Sequence, residues 1–179
     1  MYLIGGPPRC GKSELARRLT MRHAIAFIPT DLMWALVEVA QPAWRPPMAK
    51  GADRILRAAG MFAPYLERAV WFLHASDQSF GIEGEVIVPE TAAQFRSDYD
   101  ASVVFLVRRA AAPADVRDAR GPNPWLQDAA PDLAASVAAE VAAWSARVEQ
   151  ACARLQLPCF DVGEDFERSM GDAAKVLTS

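Results

Sequence analysis

Apolar positions along this chain change their period several times, and the changes mark off short strands and amphipathic helices. Tyr2 to Ile4 is a brief apolar run ending in Gly-Gly-Pro-Pro, which predicts a buried strand passing into a loop. From Ser13 to Arg22 helix formers take over, with Leu15, Ala16 and Leu19 on one face. A second apolar run, Ala24 to Ile28, precedes Pro29-Thr30-Asp31, where Thr30 or Asp31 is placed to cap a helix through Val39. Strand, helix, strand, helix is the alternation of a parallel sheet.

Between Gln41 and Gly60 that order lapses. Prolines at 42, 46 and 47 and basic residues at 45, 50, 54 and 57 predict a mobile insert with a short helix near its end. Met61, Phe62, Tyr65, Leu66, Ala69, Val70 and Leu73 then recur at helical spacing, the mark of a core-facing helix. Phe80 to Gly84 reads as a third strand, followed by a short helix around Glu90 to Arg96, and Ser102 to Val107 is the clearest strand of all. The stretch from 108 to about 130, rich in Arg, Pro and Gly, has the character of a lid. Leu133, Val137, Val141, Trp144, Val148, Cys152 and Leu155 trace one stripe of a long helix, 157–163 predicts a fifth strand with its exit loop, and 164–177 closes the chain as a helix.

With 179 residues, about half of them apolar, the chain can bury one ordinary core, so residues 1–179 are expected to form a single domain. A net charge of -3 argues against the broad basic surface that nucleic-acid binding relies on. No apolar run approaches the roughly 18 residues that cross a bilayer, and the first turns do not read as a signal peptide, so a cytoplasmic protein without membrane contact is expected. Cysteines 10, 152 and 159 show neither disulfide nor zinc spacing and predict reduced thiols.

The chain has three lysines and sixteen arginines, and one of those lysines directly follows Gly11. Gly6-Pro7-Pro8-Arg9-Cys10-Gly11-Lys12-Ser13 fits the phosphate-binding pattern G-x-x-x-x-G-K-[ST]. The glycines allow backbone angles that turn N–H groups inward around a phosphate, and the following helix aims its positive end at the same anion. A compact ammonium at Lys12 reaches the β- and γ-phosphates where a flat guanidinium would not fit, and the Ser13 hydroxyl suits Mg²⁺. Glu83, at the carboxyl end of a strand, is either placed to support the metal through water or a solvated turn carboxylate, with Glu85 close enough to compete for the role. Asp31 after the second strand is either the base for an attacking hydroxyl or a plain helix cap. Arg108, Arg109, Arg117 and Arg120 flank or lie in the lid, where arginines neutralise a transferring phosphoryl group or simply meet solvent. Arg45, Arg54 and Arg57 are weaker candidates for the acceptor side, and Trp125 is the one aromatic in a polar loop.

The phosphate loop at 6–13, Asp31, "IEGE" at 82–85 and "FLVRR" at 105–109 together resemble the small P-loop kinases of the nucleotide-kinase-like superfamily, which includes adenylate, shikimate and gluconate kinases and the chloramphenicol phosphotransferase. Within it, "YLIGGPPRCGKSELARRL" and the "IEGE" strand end look closest to the group described as similar to 2-phosphoglycerate kinase. The resemblance implies an α/β fold of three layers, a five-stranded parallel sheet in the order 2-3-1-4-5 with helices on both faces, an acceptor-binding insert at about 41–60 and an arginine-bearing lid at about 108–130. It implies Mg²⁺ and ATP as cofactors; the absence of an [NT]-K-x-D motif favours ATP over GTP. The nucleotide would be held by Gly6, Pro7, Pro8, Arg9, Cys10, Gly11, Lys12, Ser13 and Glu14 with Arg108 and Arg109, the metal by Ser13 and Glu83, and catalysis carried by Lys12, Asp31, Arg117 and Arg120. The expected activity is transfer of the γ-phosphoryl group to a hydroxyl of a small-molecule acceptor, by a monomer or homodimer. The alternatives are a nucleotide-dependent switch or partner-activated ATPase, and a P-loop module that binds nucleotide without turnover.

Overall fold

Five short strands, β1 Tyr2–Gly5, β2 Ala26–Pro29, β3 Phe80–Gly84, β4 Ser102–Val107 and β5 Cys159–Asp161, lie parallel in the order β2-β3-β1-β4-β5. A computed structural model describes residues 1–44, 51–76, 79–117 and 128–179. The helices are α1 Lys12–His23, α2 Thr30–Ala40, α3 Gly51–His74, α4 Pro89–Tyr99, α5 Pro113–Arg117, α6 Pro131–Leu155 and α7 Phe166–Thr178.

Alternation along the strands divides the core into two layers. Leu3, Ile82, Val103, Phe105 and Val107 pack with Phe62, Leu66 and Val70 of α3, Phe95 of α4 and Trp144 and Val148 of α6. Ile4, Val104 and Leu106 pack on the other side with Leu15 and Leu19 of α1 and Met170, Ala173 and Leu177 of α7. The register pairs Ile4 with Glu83, so the glutamate shares the α1 side of the sheet. Because β1 lies between β3 and β4, the loop after it opens at the carboxyl ends of the strands, where open α/β sheets take their ligands. Among the described residues no helix is long and apolar enough to cross a membrane.

Several boundaries differ from those the sequence predicts. The short helix expected near residue 60 is the first part of α3, 24 residues long, because Ile55, Ala58 and Ala59 join the same buried stripe as Phe62 and Leu66. Pro64 lies inside that helix, and the insert's residues 45–50 fall outside the described ones. Strand β2 starts at Ala26 rather than Ala24, because Ala24 takes a left-handed turn that ends α1 and donates its N–H to the Thr20 carbonyl at 3.1 Å. Neither Thr30 nor Asp31 caps α2 through its side chain: Pro29 holds the cap position and both lie in the first turn. Leu133 is exposed, and the buried stripe of α6 begins at Ala134. Of the expected lid, α5 and the flanking residues are described and 118–127 are not.

Candidate active site

Strand β1 hands the chain to a loop that only particular backbone conformations can form. Gly6 has φ 132°, and a side chain there would bring Cβ within 2.0 Å of the Leu106 carbonyl oxygen. Gly11 has φ 83° and forms the N-terminal boundary of α1, where no side chain caps the helix. The first amides of α1 therefore face the loop without a side-chain acceptor, the arrangement that receives an anion.

Lys12 is buried, and its Nζ donates to the Pro7 carbonyl at 2.7 Å, so the ammonium folds back across the loop. Ser13 Oγ donates to Glu83 Oε1 at 2.9 Å. Burial pushes the Glu83 carboxyl above its ordinary range, against the pull of Lys12 and the Ser13 hydroxyl, and the charge of Asp31 adds to the upward push. Lys12, Ser13, Glu83 and Asp31 thus belong to one electrostatic neighbourhood. Of the two competing glutamates, Glu83 contacts Ser13, whereas Glu85 pairs with Arg54 of α3 at 3.4 Å.

The remaining loop residues divide by environment. Cys10 is fully buried; its thiol is pushed up to about 11 by burial and points at the Pro8 carbonyl at 3.7 Å. Arg9 is partly buried, with φ 65°, and burial lowers its pKa. Glu14 is engaged by Arg17 and Arg18, and Arg18 continues to Glu167 of α7 at 2.8 Å, which makes a surface network.

Beyond β4, Arg108 donates its backbone N–H to the buried Ser145 hydroxyl at 2.9 Å and its guanidinium to Asp115 at 2.7 Å. Its Nε and that of Arg117 are buried without a hydrogen-bond acceptor. Arg109 is paired with Glu149 of α6 and lies 3.6 Å from Asp161 of β5. Arg120 and Trp125, like Arg45, lie outside the described residues.

Two positioning contacts escaped the sequence reading. A Cβ at Gly84 would lie 1.7 Å from Thr30 Oγ1, so the absence of a side chain lets the start of α2, and with it Asp31, close onto the end of β3. The glycine directly after Glu83 was the available signal. Ser145, which steadies the exit of β4, carries no sequence signal of its own.

Comparison with solved structures places this architecture. It matches a gluconokinase from Sinorhizobium meliloti (11% identity, 99% of this chain and 90% of that one, TM-score 0.58) and a shikimate kinase from Acinetobacter baumannii in complex with shikimate (12%, 99% and 90%, TM-score 0.57). A shikimate kinase from Bacteroides thetaiotaomicron also matches (18%, 99% and 98%, TM-score 0.52). The chain has the fold of the P-loop small-molecule kinases, with the sheet order 2-3-1-4-5. At these identities what is shared is the fold. No protein-family model matches this chain, and no curated protein matches it in sequence.

Proposed function

We propose that this protein is a phosphotransferase that moves the γ-phosphoryl group of Mg-ATP onto a hydroxyl of a small molecule. The observation that carries the reading is the junction at the start of α1, where an uncapped helix end, the buried Lys12 and the Ser13–Glu83 hydrogen bond meet below a glycine-bounded loop. A hydroxyl beside a carboxylate is a hard-oxygen donor set of the kind Mg²⁺ accepts. Mg²⁺, when bound with the nucleotide, supplies charge neutralisation across the phosphates.

In this reading the loop amides and Lys12 hold the polyphosphate, and Ser13 and Glu83 hold the metal. Asp31, exposed in the first turn of α2, accepts the proton of the acceptor hydroxyl as the new P–O bond forms and the bond to ADP breaks. Arg117 and Arg108, each with an unsatisfied buried Nε, supply cationic groups from the lid side. Gluconate and shikimate kinases, the structural neighbours, support an alcohol as acceptor. The finer likeness to the group similar to 2-phosphoglycerate kinase rests on the loop sequence and "IEGE" alone, and a monomeric or dimeric cytoplasmic enzyme belongs to the same proposal.

The rival, a partner-activated ATPase, draws on α2, where Leu32, Leu36 and Val39 are exposed at helical spacing. Calorimetry with Mg-ATP and an ADP-release assay across a panel of alcohols separate the two. The kinase reading expects an alcohol to accelerate ADP release, and Asp31→Asn to weaken that acceleration by about a hundredfold while ATP still binds. ADP release that responds only to a protein partner would favour the rival.

A further inference from the structure

We infer that Ser145 is a positioning residue for the nucleotide: from α6 its hydroxyl fixes Arg108 beside the phosphate loop, so that nucleotide affinity depends on a residue outside that loop. The inference deepens the phosphotransferase reading above and rests on it.

Four polar side chains are buried among the described residues, those of Lys12, Thr30, Glu83 and Ser145. Lys12 and Glu83 belong to the candidate site, and Thr30 closes onto Gly84, next to Glu83. Ser145 lies far from them in sequence, fully buried on a helix whose neighbouring core positions, Val141, Trp144 and Val148, are apolar. A hydroxyl is costly in such a place unless it is hydrogen-bonded. It accepts the Arg108 N–H at 2.9 Å, directly after β4 ends, and it interacts with the Cys10 thiol of the phosphate loop. Ser145 therefore reaches both that loop and the first residue beyond β4.

Arg108 is held at three points. Ser145 fixes its backbone, Asp115 of α5 accepts from its guanidinium at 2.7 Å, and its stem runs beside the loop after β5, where a Cβ at Gly163 would lie 3.7 Å from Cγ. Its charge acts on Cys10 together with that of Lys12, so the guanidinium shares the field of the phosphate loop. Between these anchors Nε is buried and has no acceptor. A buried N–H left open at that cost suits an anionic oxygen, and a polyphosphate is the anion this site is read to take. A charge-assisted contact depends on placement, and a small shift of the group forfeits much of its effect. The Ser145 hydroxyl sets the placement by pinning the backbone from which the arginine side chain departs.

Calorimetry with a non-hydrolysable Mg-ATP analogue tests this on the native chain, Ser145→Ala, Ser145→Cys, Arg108→Ala and the double variant Ser145→Ala with Arg108→Ala, with urea melts of each protein alongside. Ser145→Ala should weaken analogue binding about tenfold and Arg108→Ala by at least as much, while the double variant should bind no more weakly than Arg108→Ala alone. Ser145→Cys keeps the volume but accepts hydrogen bonds poorly, so it should show the same loss with a smaller change in the urea midpoint. It carries the test should Ser145→Ala fail to fold. Native affinity in either folded Ser145 variant, or single losses that multiply in the double variant, would overturn the inference. A merely structural hydroxyl would lower the urea midpoint and leave analogue affinity alone. Failure of the kinase reading itself would look different: the native chain would not bind the analogue.

Discussion

The two sides of the crevice are built in different ways. On the proposed phosphate side, eight consecutive residues supply the glycine conformations, the ammonium and the hydroxyl, and the sheet adds one buried carboxylate from β3. On the proposed acceptor side, Asp31 comes from α2, and α2 leaves Leu32, Leu36 and Val39 uncovered, while Arg54 of α3 pairs with Glu85 in the turn after β3. In the proposed function, recognition of a polyphosphate would thus be nearly local in sequence and recognition of its acceptor a tertiary property.

That contrast can be broken at several points. Lys12→Ala should cost the most, on the order of a thousandfold in phosphoryl transfer, about 4 kcal/mol of transition-state stabilisation, read by steady-state ADP release. Asp31→Asn should lower transfer by about a hundredfold with nucleotide affinity unchanged by calorimetry, because it removes proton acceptance and leaves the phosphate side intact. Gly84→Ala tests the contact that joins the two sides: the clash with Thr30 should lower stability by about 1–3 kcal/mol in urea melts. The smallest effect belongs to Glu14, which the Arg17 guanidinium, helped by Arg18, holds at about 2 against an ordinary 4.5. Its contribution to stability is present above pH 4.5 and lost as pH falls toward 2, so Glu14→Gln should flatten the acid limb of the stability curve and change little at neutral pH.

The same contrast explains what the sequence revealed. The loop at 6–13 was legible because its spacing is itself the geometry: glycines where φ turns positive, a lysine and a hydroxyl at the helix start. The strands were legible from their apolar runs, and the sheet order from the resemblance to P-loop kinases. The start of α3 was not, since three prolines, four basic residues and Gly60 obscured the stripe that begins at Ile55. Nor could the sequence choose between Glu83 and Glu85. That choice depends on Ser13, 70 positions from Glu83, and on Arg54, 31 positions from Glu85. Arg109 was legible as a cation near the lid, but its pairing with Glu149 depends on how α6 crosses the end of β4.

Pro64 leaves a gap in the hydrogen-bond ladder of α3. Proline has no amide hydrogen to offer the carbonyl one turn back, at Gly60, where a Cβ would meet only open space. Ile55, Ala58, Ala59 and Phe62 before the proline and Leu66 and Val70 after it are all buried in one core cluster, so the interior holds both halves of the rod across the missing rung. Apolar burial on both sides, rather than an unbroken backbone ladder, is what carries this helix straight through its proline.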